Sequence, residues 1–441
     1  MDTLKKGFLQ IFIRYETFGT RMIQVVLGLF VILRLKMALR TASFIDTRFY
    51  IETADFIRRG ISPYHSEDFL SRFPGPPMQS PSMSLLSMPL CFLSKGVQNA
   101  LFFYGSIIAF LCFVVMIFQY HGFQWKEYVK PKWYNLPIWV TLTLIGVSSP
   151  FLMMLRHGQN SCFASLLLFA VLLYPSRDKG VNSLLLGLSA AMKYSLMTLQ
   201  VPVLLLQKRW KMGIIAFVLF IIMVLSVGLW LDGVIPALKE YIQMVMEDTQ
   251  SGANSYAKAS AFSMINIGFF KIKAINVLMR LAVVGMYCVA LWRIKGRQEH
   301  GEFFPMRLES AEWGLLVIMT MLVSYHRVYD GVMFMPYLGI VFLEEYRNCC
   351  KCNKKVTGSW VLLFKTACLL ALLLFWAVPQ SVVFSLESWI GRHFAIGEKI
   401  FYYMKFEHYT MMFPLVNLVV IAMFCLFCWI FWERTAKKVT E

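Results

Sequence analysis

Residues 181–207 read VNSLLLGLSAAMKYSLMTLQVPVLLLQ, and the way this stretch divides decides the fold. Its length suits one membrane crossing, since about 20 apolar residues span a hydrocarbon core of about 30 Å. Lys193 and Pro202 interrupt it. An ammonium at membrane depth is costly, and an interior proline removes a helical hydrogen bond. A single crossing would also set Arg177 and Lys179, which precede the stretch, on the opposite face from Lys208, Arg209 and Lys211, which follow it. Two short helices meeting near Lys193 return both groups to one face, in keeping with the cytoplasmic bias of short-loop Lys and Arg. The division into two helices is therefore preferred.

Outward from this junction, apolar runs recur at 22–39, 97–119, 136–154, 160–174, 211–231, 274–293, 312–325, 331–346, 359–378 and 411–432. The segment Ser82 to Leu93 is too short to span and reads as interfacial or re-entrant. The sum is about twelve crossings with both termini cytoplasmic. In that arrangement the polar loops 41–96, 232–273 and 379–410 fall outside, and the basic clusters fall inside. Within the first loop, Asp46 to Arg59 has helix-forming character and can lie along the membrane surface. Lys5 and Lys6 precede the first run, no A-x-A-like cleavage site follows it, and it reads as a retained helix.

Composition agrees. Of 441 residues, 58% are hydrophobic and 15% charged, with a mean hydropathy of +0.60, against about a quarter charged in soluble domains. The fold expected is an all-α polytopic integral membrane protein with a single domain, 1–441. Residues 1–346 carry the motifs, and 347–441 supply C-terminal helices and an outer loop. The net charge of +18 resides in short clusters between apolar runs, such as Lys126, Lys130 and Lys132, or Arg434, Lys437 and Lys438. These set topology, and no nucleic-acid partner is expected. The ten cysteines form no disulfide framework. Cys112, Cys162, Cys288, Cys368, Cys425 and Cys428 lie in apolar runs, and Cys349, Cys350 and Cys352 share a basic loop without a fourth metal ligand nearby.

Ionisable groups at membrane depth are functional candidates, and four clusters share the outer side. Asp46 follows the first run in FIDTRFY, residues 44–50, where it can cap a helix or act as a general base. Arg156-His157-Gly158-Gln159-Asn160 is either a polar turn or part of a site. Lys193 can snorkel, and Ser324 to Asp330, SYHRVYD, can be a charged turn. Together they set Arg156, His157, Lys193, His326 and Arg327 on one face with a carboxylate opposite, an arrangement suited to a phosphate or pyrophosphate at headgroup depth.

The order of these elements resembles glycosyltransferase family 87, the polyprenyl-phosphate-mannose-dependent group of GT-C membrane glycosyltransferases. The likeness runs over roughly residues 20 to 345. It is carried by Asp46, Tyr50 and Ala54, the turn Gly60-Ile61-Ser62-Pro63-Tyr64, Phe73 to Pro77, Pro89, Gly158-Gln159-Asn160-Ser161, Lys193, Arg209-Trp210-Lys211, and His326 to Asp330. Tyr325 stands where the family usually has a Pro, and Asn160 comes one place early. The resemblance implies transfer of a sugar, mannose by family default, from a polyprenyl-phosphate carrier to a hydroxyl of a lipid or glycan acceptor. It implies inversion, and an active site on the outer face of the cell (inner) membrane. Asp46 takes the place of the base. Lys193, His326 and Arg327, with Arg156 and His157 behind them, are candidates for the donor phosphate. Gln159, Asn160, Tyr50, Tyr64 and Asp330 are candidates for the sugar or acceptor. No cofactor and no metal is expected, and the sequence has no Asp-x-Asp motif. A transporter or lipid flippase is the main competing reading, followed by a pentose transferase and a non-catalytic assembly subunit. Transporters typically hold polar groups near the midplane between repeats, whereas here they gather at one surface.

Overall fold

The computed structural model describes residues 2–73, 76–77, 79–174, 178–251, 273–299, 308–323, 328–351, 356–379, 381–383, 385–386, 389, 404–405, 410–411 and 415–440. Its helices in chain order are α1 (Asp2–Arg40), α2 (Ile45–Arg58), α3 (Glu67–Arg72), α4 (Pro81–Ser87), α5 (Lys95–Tyr120), α6 (Trp125–Tyr128), α7 (Leu136–Gly146), α8 (Ser149–His157), α9 (Ser161–Leu173), α10 (Lys179–Met192), α11 (Met197–Leu206), α12 (Trp210–Ser226) and α13 (Val234–Ser251). Lys273–Glu299, Ser310–Val323, Met335–Lys351, Val356–Ala377 and Leu415–Thr440 follow. Two short strands, Met404–Lys405 and Thr410–Met411, pair antiparallel. The all-α expectation holds.

Local chemistry explains the breaks. Asp178 caps α10, accepting from the backbone N–H of Gly180 and Val181 at 2.8 and 3.0 Å. The helix stops where Lys193 turns to an extended backbone, φ −153° and ψ 89°. A single 3-10 turn, Tyr194–Leu196, then leads into α11. The expected division of 181–207 is thus present. The run 136–154, expected as one span, lies within the candidate crossing Trp133–His157, which is broken into two helices. Pro150 lacks an N–H, and its ring opposes the carbonyl four residues back, so the helix ends at Gly146 and restarts at Ser149.

Among the described residues, six helical segments are long and apolar enough to cross a membrane: Tyr15–Arg40, Lys95–Tyr120, Trp133–His157, Trp210–Leu229, Trp360–Ala377 and Val419–Ala436. Other expected crossings fall on shorter apolar helices, among them Ser161–Leu173, Tyr194–Leu206 and Ser310–Leu322, and Pro81–Phe92 is likewise short. The chain is an integral membrane protein. Its core is aromatic: Phe169, Trp313 and Tyr337 are fully buried against one another, with ring centroids 5.6 to 6.2 Å apart. Gly339 lets Met335–Lys351 lie close against α7, where a Cβ would come within 2.7 Å of Ile145 and 2.8 Å of Thr141.

The bundle has two chemically distinct ends. At one end, Arg347 donates to the Tyr128 hydroxyl at 2.6 Å, Arg293 reaches Thr435 at 3.5 Å, and Arg434 pairs with Glu344 and Glu345. The basic stretches around 126–132, 293–297, 347–351 and 434 therefore meet there. At the other end lie the starts of α2 and α9, the break at Lys193, and the 3-10 segment Val328–Met333. Ser310–Val323 links the two ends and, at 1.5 Å rise per residue, is about 20 Å long.

Candidate functional site

The site begins where α1 hands over to α2. The backbone N–H groups of Ser43 and Phe44 both donate to the carbonyl of Arg156, at 2.9 and 3.0 Å, pinning this loop to the end of α8. Phe44 adopts a left-handed conformation, φ 48° and ψ 31°. For a residue with a side chain that costs about 1–2 kcal/mol. Its ring is held edge-on against Phe103 at 6.4 Å. This bend starts α2 directly over the end of α8.

Asp46 is consequently not the helix cap. Phe44 occupies that position without a side-chain hydrogen bond, and Asp46 sits in the first turn. There its carboxylate favours the positive end of the helix dipole. Asp46 Oδ2 lies 3.6 Å from His157 Nδ1, and both side chains are partly reachable, at 17% and 34% exposure. The same face of α2 continues inward. Thr47 Oγ1 donates to the Gly158 carbonyl at 2.9 Å, and the Tyr50 hydroxyl donates to Gln159 Oε1 at 2.6 Å. Gly158 ends α8 with φ +69°, and a Cβ there would sit 1.9 Å from Thr47 Oγ1. Only glycine accommodates both the turn and the approach of α2.

From Gln159 the network runs into the bundle. Gln159 Nε2 donates to the Tyr329 hydroxyl at 2.9 Å. Asn160 Nδ2 donates to the carbonyl of Met192 at 2.8 Å, fixing the end of α10 one residue before Lys193. Lys193 Nζ donates to Asp330 Oδ1 at 2.6 Å and to Ser161 Oγ at 3.2 Å, and Ser161 Oγ donates to the same Asp330 oxygen at 2.7 Å. The Lys193 and Asp330 side chains are 16% and 3% exposed. A charge pair so far from water is worth more than a surface one, and costly to break. Tyr329 stands between the Lys193–Asp330 pair and His157: its ring lies 5.5 Å from Lys193 Nζ on one side and 6.1 Å from the His157 ring on the other.

Seven of the residues expected from the sequence thus belong to one connected arrangement: Asp46, Tyr50, His157, Gln159, Asn160, Lys193 and Asp330. Arg156 contributes its carbonyl, and its side chain is exposed. Tyr64 lies apart, its ring packed on Tyr241 of α13 at 5.4 Å. Burial, with Glu240 nearby, pushes the Tyr64 phenol above its ordinary value. His326 and Arg327 lie outside the described residues. Tyr329, Ser161 and Thr47 join the network without standing out in the sequence. Each adjoins a residue that does, and a polar side chain beside a buried charge is the signal that finds them.

A bundle of hydrophobic helices with acid, base and cation gathered at its helix breaks defines an integral membrane protein with a candidate site at one end. The sequence model of glycosyltransferase family 87 matches residues 79–324, more than half of the chain, and the chain belongs to that family. It is a membrane glycosyltransferase. The match encloses Gln159, Asn160 and Lys193, whereas Asp46 and Asp330 fall outside its limits and are joined to it by the contacts above. No curated protein and no solved structure matches the chain.

Proposed function

We propose that this enzyme transfers a hexose, mannose by family default, from a polyprenyl-phosphate carrier to an acceptor hydroxyl, with inversion, at the outer face of the cell membrane. One observation carries the reading. A carboxylate, Asp46, and an ammonium, Lys193, are brought to one network from segments distant in sequence, with His157 and Tyr329 between them.

In this scheme the Asp46 carboxylate takes the proton of the acceptor hydroxyl while that oxygen forms a bond to C1 of the sugar. The bond from C1 to the phosphate oxygen breaks, and its electron pair leaves with the polyprenyl phosphate. Charge grows on the departing phosphate, where fixed cations count most. Lys193 is the innermost of these, with His157, Arg156, His326 and Arg327 as further donors. Asp330 holds Lys193 aimed until the phosphate arrives. Gln159, Asn160 and Tyr50 address the sugar, with Tyr64 on the acceptor side. The end of the bundle that collects the basic stretches is assigned to the cytoplasm, which sets the site outside. No metal is assigned a role in this scheme.

The test is transfer from radiolabelled polyprenyl-phosphate-mannose to membrane lipid and glycan acceptors by the full chain in lipid nanodiscs. Asp46→Asn is expected to lower the rate by about 10²–10⁴-fold, the range for loss of a general base, with thermal unfolding unchanged. Equal transfer by a folded Asp46→Asn variant overturns the role of Asp46. Transfer from a nucleotide sugar, with none from several polyprenyl-linked sugars, overturns the donor.

A further inference from the structure

One cluster lies outside the ionic network and has its own chemistry. The turn after α2 is latched to α13 by three contacts. Ser62 Oγ donates to Glu240 Oε2, the Tyr64 and Tyr241 rings meet at 5.4 Å, and His65 Nδ1 lies 3.9 Å from Glu247 Oε2. Tyr194 follows Lys193 directly and is 48% exposed. Burial, with Tyr194 and then Tyr64 close by, pushes the Tyr241 phenol above its ordinary value. Tyr64 and Tyr241 thus share one locality at α13, and Tyr194 marks the helix break that bears Lys193.

The Tyr64 hydroxyl is buried beneath Tyr241 with no hydrogen-bond partner among the described residues. A phenylalanine would fill the same space without leaving a polar atom unsatisfied, and such an orphan calls for an explanation. On the opposite side of α13, Ile235, Ile242 and Met246 are exposed, beside Trp230 at the foot of the crossing Trp210–Leu229. A helix with one face docked and the other apolar and open, beginning where a crossing ends, lies in the membrane interface. Tyr241, on the docked face, is thereby held at headgroup depth.

We propose that Tyr241 is an acceptor-recognising residue, packing with Tyr194 against a neutral pyranose ring presented at the membrane surface. The inference rests on the transferase reading above for the word acceptor. Tyrosine rings suit the C–H face of a sugar, since each offers an apolar body and a polar tip. The nearby carboxylates Glu240 and Glu247 accept from sugar hydroxyls and disfavour an anionic headgroup. Rotation of the Tyr241 ring on binding uncovers the Tyr64 hydroxyl for one ligand hydroxyl. A pyranose carried by a lipid and one free in solution present the same ring, and the two sources are separable by experiment.

The experiment has two arms, both on the full chain in nanodiscs. In the first, hexadecyl α-mannoside in the disc and methyl α-mannoside in solution are compared as acceptors for polyprenyl-phosphate-mannose. Tyr241→Ala is expected to raise the acceptor KM by about 10-fold, the factor equivalent to 1.4 kcal/mol, while the donor KM stays within about twofold and Tyr241→Phe retains most of the affinity. A lower KM for the hexadecyl glycoside identifies the lipid source. Tyr64→Phe is expected to raise thermal stability and also raise the acceptor KM, whereas a packing role alone would leave KM unmoved. An unchanged acceptor KM in folded Tyr241→Ala, or an equal rise in both KM values, overturns the proposal. The second arm needs no donor: saturation transfer to methyl α-mannoside is expected in wild type and Asp46→Asn and lost in Tyr241→Ala. If that pattern appears while no polyprenyl-linked sugar is transferred, the donor reading fails and the sugar site stands. If transfer succeeds and the pattern is absent, the sugar site fails alone.

Discussion

The protein buries two ionic networks, one at each end of the bundle, and they are built differently. At the end that gathers the basic stretches, Arg434 holds Glu344 at 3.0 Å and Glu345 at 2.6 Å, and Lys365 holds Glu433 at 2.6 Å and Glu345 at 3.4 Å. Ser310 bonds Glu344 as well. These contacts tie Ser310–Val323, Met335–Lys351, Val356–Ala377 and Leu415–Thr440 to one another. Each of these five charges meets an opposite charge at short range. At the other end, Lys193 and Asp330 are similarly tight, but Asp46 and His157 stand 3.6 Å apart. A network closed at short range throughout is a clamp. One with a carboxylate and an imidazole held apart has room to rearrange around a substrate.

The sharpest way to break this contrast is Arg434→Met. It strands Glu344 and half of the contacts of Glu345, and removing one partner of a buried pair costs about 3–5 kcal/mol. Thermal unfolding in detergent reads the loss. If the network is only a clamp, the fraction that remains folded transfers sugar with unaltered kcat and KM; an altered donor KM would make it part of the site.

Next comes the double substitution Lys193→Met/Asp330→Leu. Exchanging a buried ion pair for apolar groups of similar size is often neutral for stability, so the double variant is expected to fold better than either single one. Its transfer rate is nevertheless expected to fall by about 10²–10³-fold, the effect of losing one preorganised donor to a developing negative charge. Recovery of both stability and activity would show that this pair, too, is a clamp.

Gly158→Ala tests the joint between α2 and α8. The added methyl meets Thr47 Oγ1, which itself donates to the Gly158 carbonyl. Pushing α2 away by about 1 Å moves Asp46 from its place, and misplacement on that scale lowers rates by about 100-fold. Thr47→Ser is expected to change little by itself, because the hydroxyl is retained.

These contrasts also separate what is legible in the sequence from what only packing supplies. The helix break at Lys193, the start of α2 and the gathering of polar groups at one end follow from proline, charge and apolar periodicity, all local properties. The partner of Lys193 does not: Asp330 is 137 residues away, and only the packing of Val328–Met333 against α8 and α9 brings them together. Residue type alone makes Asp46 an equally good cap, whereas Phe44 takes that position through a backbone conformation the sequence does not advertise. The clamp has a sequence signal of its own. Lys365 lies inside the apolar run 359–378, and Glu344 and Glu345 end the run 331–346; ionisable residues so placed warrant the same question asked of Lys193. Apolar runs alone predict about twelve crossings, and among the described residues six helical segments meet the length and apolarity of a crossing.

The smallest expected effect is the most selective. Tyr50→Phe removes the hydroxyl that donates to Gln159 Oε1 and leaves the ring packed 5.9 Å from Phe102. A neutral hydrogen bond contributes about 0.5–1.5 kcal/mol net, and Gln159 is still held through Nε2 by Tyr329. Stability should therefore fall by no more than that amount. If Gln159 addresses the donor sugar, its loosened amide raises the donor KM a few-fold and leaves the acceptor KM and the ionic pair Lys193–Asp330 untouched. If the tie merely braces α2 against the turn at Gly158, the change appears in kcat through Asp46 instead, and both KM values hold. The split between KM and kcat in this one conservative variant thus decides whether the hydrogen-bonded half of the network reads the sugar or only positions the base.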